Sequence, residues 1–306
     1  MKHYLIAALG AVAAIAAGAP ACAQSPCTRE ILRERAQQYL AAEADGQVIM
    51  HVKPMGEWVS YYENGELSSM TFGGVIASPQ KVDWHRSFYD PVTCTAFVES
   101  VITDPKHPYV IGTSIRASGA PGSGAGTVSR FDAVVTDKDD WLFDASKTLY
   151  YARREDWSEI PAARRATREQ LKAAADAYLD YFKNKSVAVP WGTPCDRLEG
   201  SVYTGKGDGT DSCNVGVPSN IDMDDRTYVI DPVVGAVAVF LKMGPNKRPD
   251  VHVFRVEDGK LRYVHTITNC GTQVNCGFDP LPFMIQKNPA MYPNMDKVAV
   301  VNRVQE

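Results

Sequence analysis

Apolar residues recur at helical spacing in two separated stretches of the chain. Leu32, Ala36, Tyr39 and Leu40 fall at i, i+4, i+7 and i+8, and Leu171, Ala175, Tyr178 and Leu179 repeat the set 139 residues later. That spacing lays one apolar stripe along a helix. Each stripe follows Thr-Arg-Glu, at Thr28–Glu30 and at Thr167–Glu169, which supplies a hydroxyl cap and an acid in the first turn, where the helix dipole favours it. Seven of fourteen aligned positions are identical, so these are two versions of one amphipathic helix.

Downstream the period changes from helix to strand. Arg86-Ser87-Phe88-Tyr89-Asp90-Pro91 is echoed by Arg226-Thr227-Tyr228-Val229-Ile230-Asp231-Pro232, and each is followed by a β-rich run, Cys94 to Ile102 and Ala236 to Lys242. Phe131 to Asp144 then matches His252 to Thr266, two strands about an acidic turn, with Asp137 aligned on Asp258. A repeat near 140 residues with shared element order means a duplicated domain rather than a solenoid. The expected division is 1–23, 24–160 and 161–306, with the boundary near Ile160-Pro161. Ala117 to Gly126 and Tyr203 to Cys213 read as loops, and Val298, Val300, Val301 and Val304 as a final strand.

A long helix followed by antiparallel hairpins with one apolar face is an α+β unit in which the sheet curls over the helix. This order resembles the nuclear transport factor 2-like (NTF2-like) superfamily, also called SnoaL-like, here in a secreted tandem form. The resemblance covers nearly all of the chain after residue 23 and rests on element order, the Asp137 and Asp258 turns and the helix stripes. No catalytic signature of the family matches residue for residue. It implies two cone-shaped units, each a long helix packed on a curved antiparallel sheet, with a pocket between. It also implies that the two copies pair through their sheets as an internal pseudo-dimer, leaving the chain a monomer. Activities in the superfamily run from isomerases, dehydratases and lyases to plain binding domains, so the fold alone selects none.

Composition narrows the setting. A charged start (Lys2, His3), an apolar core from Tyr4 to Ala17 and Ala21-Cys22-Ala23 form a signal-peptide pattern with cleavage expected after Ala23. The rival is a lipoprotein carrying its lipid on Cys22. Without residues 1–23 the chain keeps 31 basic against 36 acidic side chains, a formal charge of −5, and no basic run. That gives no footprint for nucleic acid or an anionic membrane, and no later run is long enough to span a bilayer. A secreted or periplasmic location is expected. The remaining cysteines, Cys27, Cys94, Cys195, Cys213, Cys270 and Cys276, suit disulfides in an oxidising compartment; grouping by domain suggests Cys27–Cys94, Cys195–Cys213 and Cys270–Cys276. No CxxC pair and no nearby His favour a metal, and no nucleotide or cofactor motif occurs, so neither metal nor cofactor is expected.

The candidate chemistry lies in the second copy. Asp258-Gly259 between alternating runs predicts a two-residue hairpin, and that register sets His252 opposite His265 and Phe254 opposite Tyr263. His252, Phe254, Val256, Leu261, Tyr263 and His265 then share an inward face, while Arg255, Glu257, Lys260 and Arg262 lie on a solvated one. Two opposed imidazoles suit general base and acid roles, with His265 as base, His252 as its partner, and Tyr263 or Tyr228 as donor to an oxyanion. The first copy carries Phe131 at the place of His252 and Ala145 or Asp144 at that of His265, so it lacks the pair. Pro190 to Gly200 reads as a loop at the pocket mouth, with Trp191 as a stacking wall and Arg197 and Glu199 as polar contacts. The leading expectation is a cofactor-independent lyase, dehydratase or isomerase acting on a small, partly apolar molecule. The alternative is a non-catalytic small-molecule-binding or scaffold protein, and for each histidine a satisfied core residue.

Overall fold

Thr28 and Thr167 cap helices as their repeated motif requires. In the computed structural model, which describes residues 27–118 and 124–287 together with Pro289 and Pro293, Thr28 accepts from the Ile31 amide and opens α1 (Arg29–Asp45). Thr167 opens α4 (Arg168–Asp180) with a reciprocal capping box through Gln170. The proposed signal sequence, Cys22 and the valine-rich tail lie outside the described residues.

After α1 come a short helix α2 (Val48–His51) and strands β1 (Met55–Glu63), β2 (Glu66–Ser68), β3 (Trp84–Asp90), β4 (Thr95–Ile102), β5 (Tyr109–Ser118) and β6 (Thr127–Thr136). After α4 come β7 (Trp191–Glu199), β8 (Val202–Tyr203), β9 (Met223–Asp231), β10 (Ala236–Met243), β11 (Arg248–Glu257) and β12 (Lys260–Thr268). The first six strands form a sheet in the order β2-β1-β6-β5-β4-β3, and the second six repeat it as β8-β7-β12-β11-β10-β9. In both, the long first strand runs parallel to the last, and the other pairings are antiparallel. The duplication therefore reaches strand order, and the chain is an α+β protein of two similar units. Helix α3 (Ala145–Ala152) follows β6, and α5 (Leu281–Lys287) follows β12.

One part of the expected alignment is corrected. Phe131 to Asp144 is not a hairpin: Phe131 to Thr136 ends β6, and Asp137 sits in the turn after it. The counterpart of the β11–β12 hairpin is β5–β6, whose strands are joined through residues 119–126. That connection contains no Asp-Gly, so in the first unit no local turn signal marks the hairpin.

Each sheet buries both faces. The inner face packs on its own helix, Leu32, Ala36 and Tyr39 against Val98, Ile115 and Phe131 in the first unit, and Leu171, Ala175 and Tyr178 against Val239, Phe254 and Val264 in the second. The outer faces pack on each other through Phe88, Phe97, Val101, Val229, Ala238, Val251, Val253 and Ile267. Approach is close at Gly112, where a Cβ would lie 2.6 Å from Val251 Cγ1.

The two Asp-Pro motifs fasten this contact reciprocally. Asp90, at the end of β3, takes Arg168 of α4 at 2.6 Å and the Ile230 amide at 3.0 Å. Asp231, at the end of β9, takes Arg29 of α1 at 2.5 Å and the Tyr89 amide at 3.0 Å. Both carboxylates are fully buried. The two sheets thus pack on each other within one chain. The three disulfides join Cys27–Cys94, Cys195–Cys213 and Cys270–Cys276, the pairs that grouping by domain suggests. No helix among the described residues is long and apolar enough to cross a membrane.

Candidate functional site

The hairpin turn at Asp258-Gly259 forms as predicted, with Glu257 opposite Lys260 and Val256 opposite Leu261. The next pair is Arg255 with Tyr263, which leaves Arg262 as one extra residue in β12. Such a bulge shifts the ladder by one, and a shift of one moves every later side chain to the other face. His252 therefore opposes Thr266, and His265 opposes Val253. The expected His252–His265 pair does not exist: the rings lie on opposite faces and share neither a proton nor an ion. Leu261, Val264, Thr266 and Thr268 face inward; Tyr263, His265 and Ile267 face the first unit. Of the residues expected on a solvated face, Lys260 is exposed and Glu257 and Arg262 are half-buried, but Arg255 is buried, only 3% exposed.

On the inner face His252 is 1% exposed. Its Nδ1 lies 2.6 Å from Asp250 Oδ1, and Thr268 Oγ1 donates to the other oxygen of that carboxylate. A carboxylate accepts and cannot donate, so Nδ1 is the donor in this contact. Nε2 is buried without a hydrogen-bond partner among the described residues, as is Thr266 Oγ1. Both residues line a cavity of about 40 Å³ with Arg197 and Glu199 of β7. Arg197 is fully buried, donating to Tyr178 Oη at 3.3 Å, with Nε 3.4 Å from Glu199 Oε1. Burial pushes the Tyr178 phenol well above its ordinary range, so it stays protonated. Phe278 and Trp141, which the first unit supplies, also line the cavity; their rings meet edge-on at 4.4 Å.

On the outer face His265 has a different environment. Its Nε2 lies 2.6 Å from Glu155 and its Nδ1 2.9 Å from Glu99, and Arg86 donates to Glu99 at 2.6 Å. Burial alone would lower the imidazole pKa, but the Glu155 and Glu99 carboxylates outweigh it and raise it to about 9. Burial would raise Glu99, yet Arg86 and His265 bring it down to about 2. Two cations and two carboxylates thus balance in a buried cluster that ties the units together. A ring held as a cation is the wrong form for a general base at neutral pH.

Of the other predicted site residues, Arg197 and Glu199 join His252 at the cavity, on a strand rather than the expected loop. Phe254 stacks on His252 at 6.0 Å between ring centres but is itself core. Trp191 packs edge-on against Tyr178 and Tyr181. Tyr228 bonds Asp176 outside the cavity, and Tyr263 stacks on Trp157 at the unit interface. Three participants were not foreseen. Thr266 and Thr268 carry no signal in an alternating strand, and Asp250, two residues before His252, lies at the far end of the hairpin from its turn.

In the first unit Thr113 stands where His252 does, since Val98 opposes Thr113 as Val239 opposes His252. Thr113 bonds Tyr39 Oη at 2.9 Å. That position in the first copy is a closed core contact, and its occupant is not the expected Phe131. The counterpart of His265 is Asp132 rather than Asp144 or Ala145, because Ser114 opposes Asp132 as Val253 opposes His265.

A family model described as a domain of unknown function (DUF8021) matches residues 164–268, which run from just before α4 to the end of β12. No curated protein and no solved structure matches the chain.

Proposed function

We propose that the chain is an exported, nuclear transport factor 2-like tandem whose second unit performs cofactor-independent proton transfer on a small organic molecule, with His252 as general base and Asp250 as its positioning residue. The observation that carries this reading is the buried, unpartnered Nε2 of His252, a residue that lines a small cavity, while Nδ1 is held by a buried carboxylate. A leaving orphan of this kind costs stability in a core, about 1–3 kcal/mol, and a ligand hydroxyl or polarised C–H would relieve it. Thr266 Oγ1 is a second contact, and Arg197 and Glu199 are further polar side chains in a lining that is otherwise mainly apolar. Proton abstraction beside a carbonyl, or loss of water from a β-hydroxy compound, fits this donor and acceptor set. The strand order shared by both units and the helix packed across each inner face support the fold assignment, and the three disulfides support export.

The cavity holds only a few non-hydrogen atoms, given that one water needs roughly 10–15 Å³ of such space. The substrate, or the end of it that reacts, is correspondingly small. The same narrowness favours a second reading, a unit that binds a small molecule without turning it over. Incubation of the protein in D2O with a panel of small carbonyl and β-hydroxy carbonyl compounds separates the two. Exchange of the α-proton seen by NMR, reduced at least a hundredfold in His252→Gln with the melting temperature retained, is the expected result. Ligand-induced stabilisation without exchange or product would replace catalysis by binding.

A further inference from the structure

Doubling the unit creates two equivalent seams along the sheet-to-sheet contact, and their contents differ. The registers set the equivalence: Thr95 opposes Arg116 as Ala236 opposes Arg255, and Arg116 opposes Arg130 as Arg255 opposes Tyr263. Asp132 occupies the place of His265 in the same way.

In the seam of Arg255, Tyr263 and His265, the segment after α3 lies across the sheet. Glu155 is bound by His265, and Trp157 stacks on Phe88 at 5.3 Å and on Tyr263 at 5.8 Å. Arg86 sits over the Trp157 ring at 3.8 Å, and Arg255 Nη1 donates to the Ser158 carbonyl at 2.8 Å. This surface therefore already holds an extended peptide by one carboxylate, one aromatic ring and one main-chain carbonyl.

In the other seam no described segment takes that place. Arg116, Arg130 and Asp132 instead line an open groove of about 890 Å³, whose opposite wall is formed by Arg168, Lys172, Arg226 and Tyr228. That volume and its position between two units suit a bound ligand. Most of the cations are neutralised: Arg130 by Asp132, Arg168 by Asp90, Lys172 and Arg226 by Asp176. Arg116, which is exposed, and Lys242 have no ion-pair partner among the described residues.

We propose that this groove binds an extended acidic peptide segment, laid along the sheet as residues 155–158 are laid along the equivalent seam. Arg116 takes the part of Arg255 and donates to a main-chain carbonyl, and its charge and that of Lys242 select for carboxylates. Arg116 and Lys242 do not line the His252 cavity, and only Asp250 both borders the groove and bonds that ring, so substitutions at Arg116 and Lys242 test this proposal without touching the His252 reading.

The probe is a fluorescein-labelled peptide with the chain's own sequence from Arg154 to Glu159, titrated against the full protein by anisotropy. Saturable binding is expected, weakened about tenfold or more by Arg116→Glu combined with Lys242→Glu, by amidation of the peptide's acids, and by high salt. Should the double reversal fail to fold, Arg116→Gln, a neutral change at an exposed site, is expected to give a smaller loss in the same direction. Absence of saturable binding, or binding indifferent to these substitutions, overturns the proposal. So does a result in which heparin binds with the same dependence on Arg116 and Lys242 while the peptide does not, because the groove would then be a site for anionic glycans.

Discussion

Replacing His265 with Gln separates a structural cation from a catalytic base. The substitution leaves Glu99 and Glu155, each only about 1% exposed, facing Arg86 as their remaining cation. Breaking a buried ionic cluster by removing one partner costs roughly 3–5 kcal/mol. The rise of the imidazole from 6.5 to about 9 accounts for roughly 3 kcal/mol of it. The sign follows from proton binding. Between 6.5 and about 9 the folded protein holds a proton that the unfolded chain has released, so stability falls with pH in that window. The contribution is full below 6.5 and is lost as pH rises through about 9. Urea unfolding of wild type and His265→Gln, at pH values below, within and above that window, should therefore show a gap that is widest at the low end and narrows by roughly 3 kcal/mol at the high end. Glu43 titrates in a neighbouring range but is common to both proteins and cancels. A variant as stable as wild type below pH 6.5, with its catalytic turnover abolished, would refute the structural assignment and restore His265 as a base.

Glu43 is fully buried in the first unit, where burial, only partly offset by Ser100, raises its carboxyl from 4.5 to about 7. Wild type should lose roughly 3 kcal/mol as pH rises from 4.5 through 7, and Glu43→Gln should lack that decline when both are unfolded in denaturant across the range. Asp90→Asn removes the buried anion that Arg168 and the Ile230 amide share; a loss of about 3 kcal/mol is expected, and a melting temperature within error of wild type would show the latch to be idle. Asp250→Asn frees the His252 ring to choose its tautomer, so any turnover should fall by about 10² to 10⁴ while the fold is kept, and equal activity in kinetic assays would remove Asp250 from the mechanism.

Local features were legible from composition and spacing alone. The helix stripes, their threonine caps, the Asp-Gly turn and the cysteine grouping all depend on residues near one another in the chain. The placement of the histidines depends on a single bulge. Alternation fits Arg262 and Tyr263 equally well with either face, so nothing local marks Arg262 as the extra residue. The ligands of His265 were out of reach for another reason: Glu99 and Glu155 lie 166 and 110 residues away and meet it only because two sheets pack outer face to outer face. The Asp-Pro motifs were seen as markers of the repeat, but their use as crossed anchors required the partner unit.

Those crossed anchors bear on how the protein matures. Until residues 168 and 230 have been made, Asp90 has neither its arginine nor its amide, and Phe88 and Phe97 lie on an uncovered face. The N-terminal half is thus held short of its final state until the C-terminal half arrives. Two halves so dependent on each other should also come apart together. Calorimetry should record one transition, and two well-separated ones would contradict this mutual dependence.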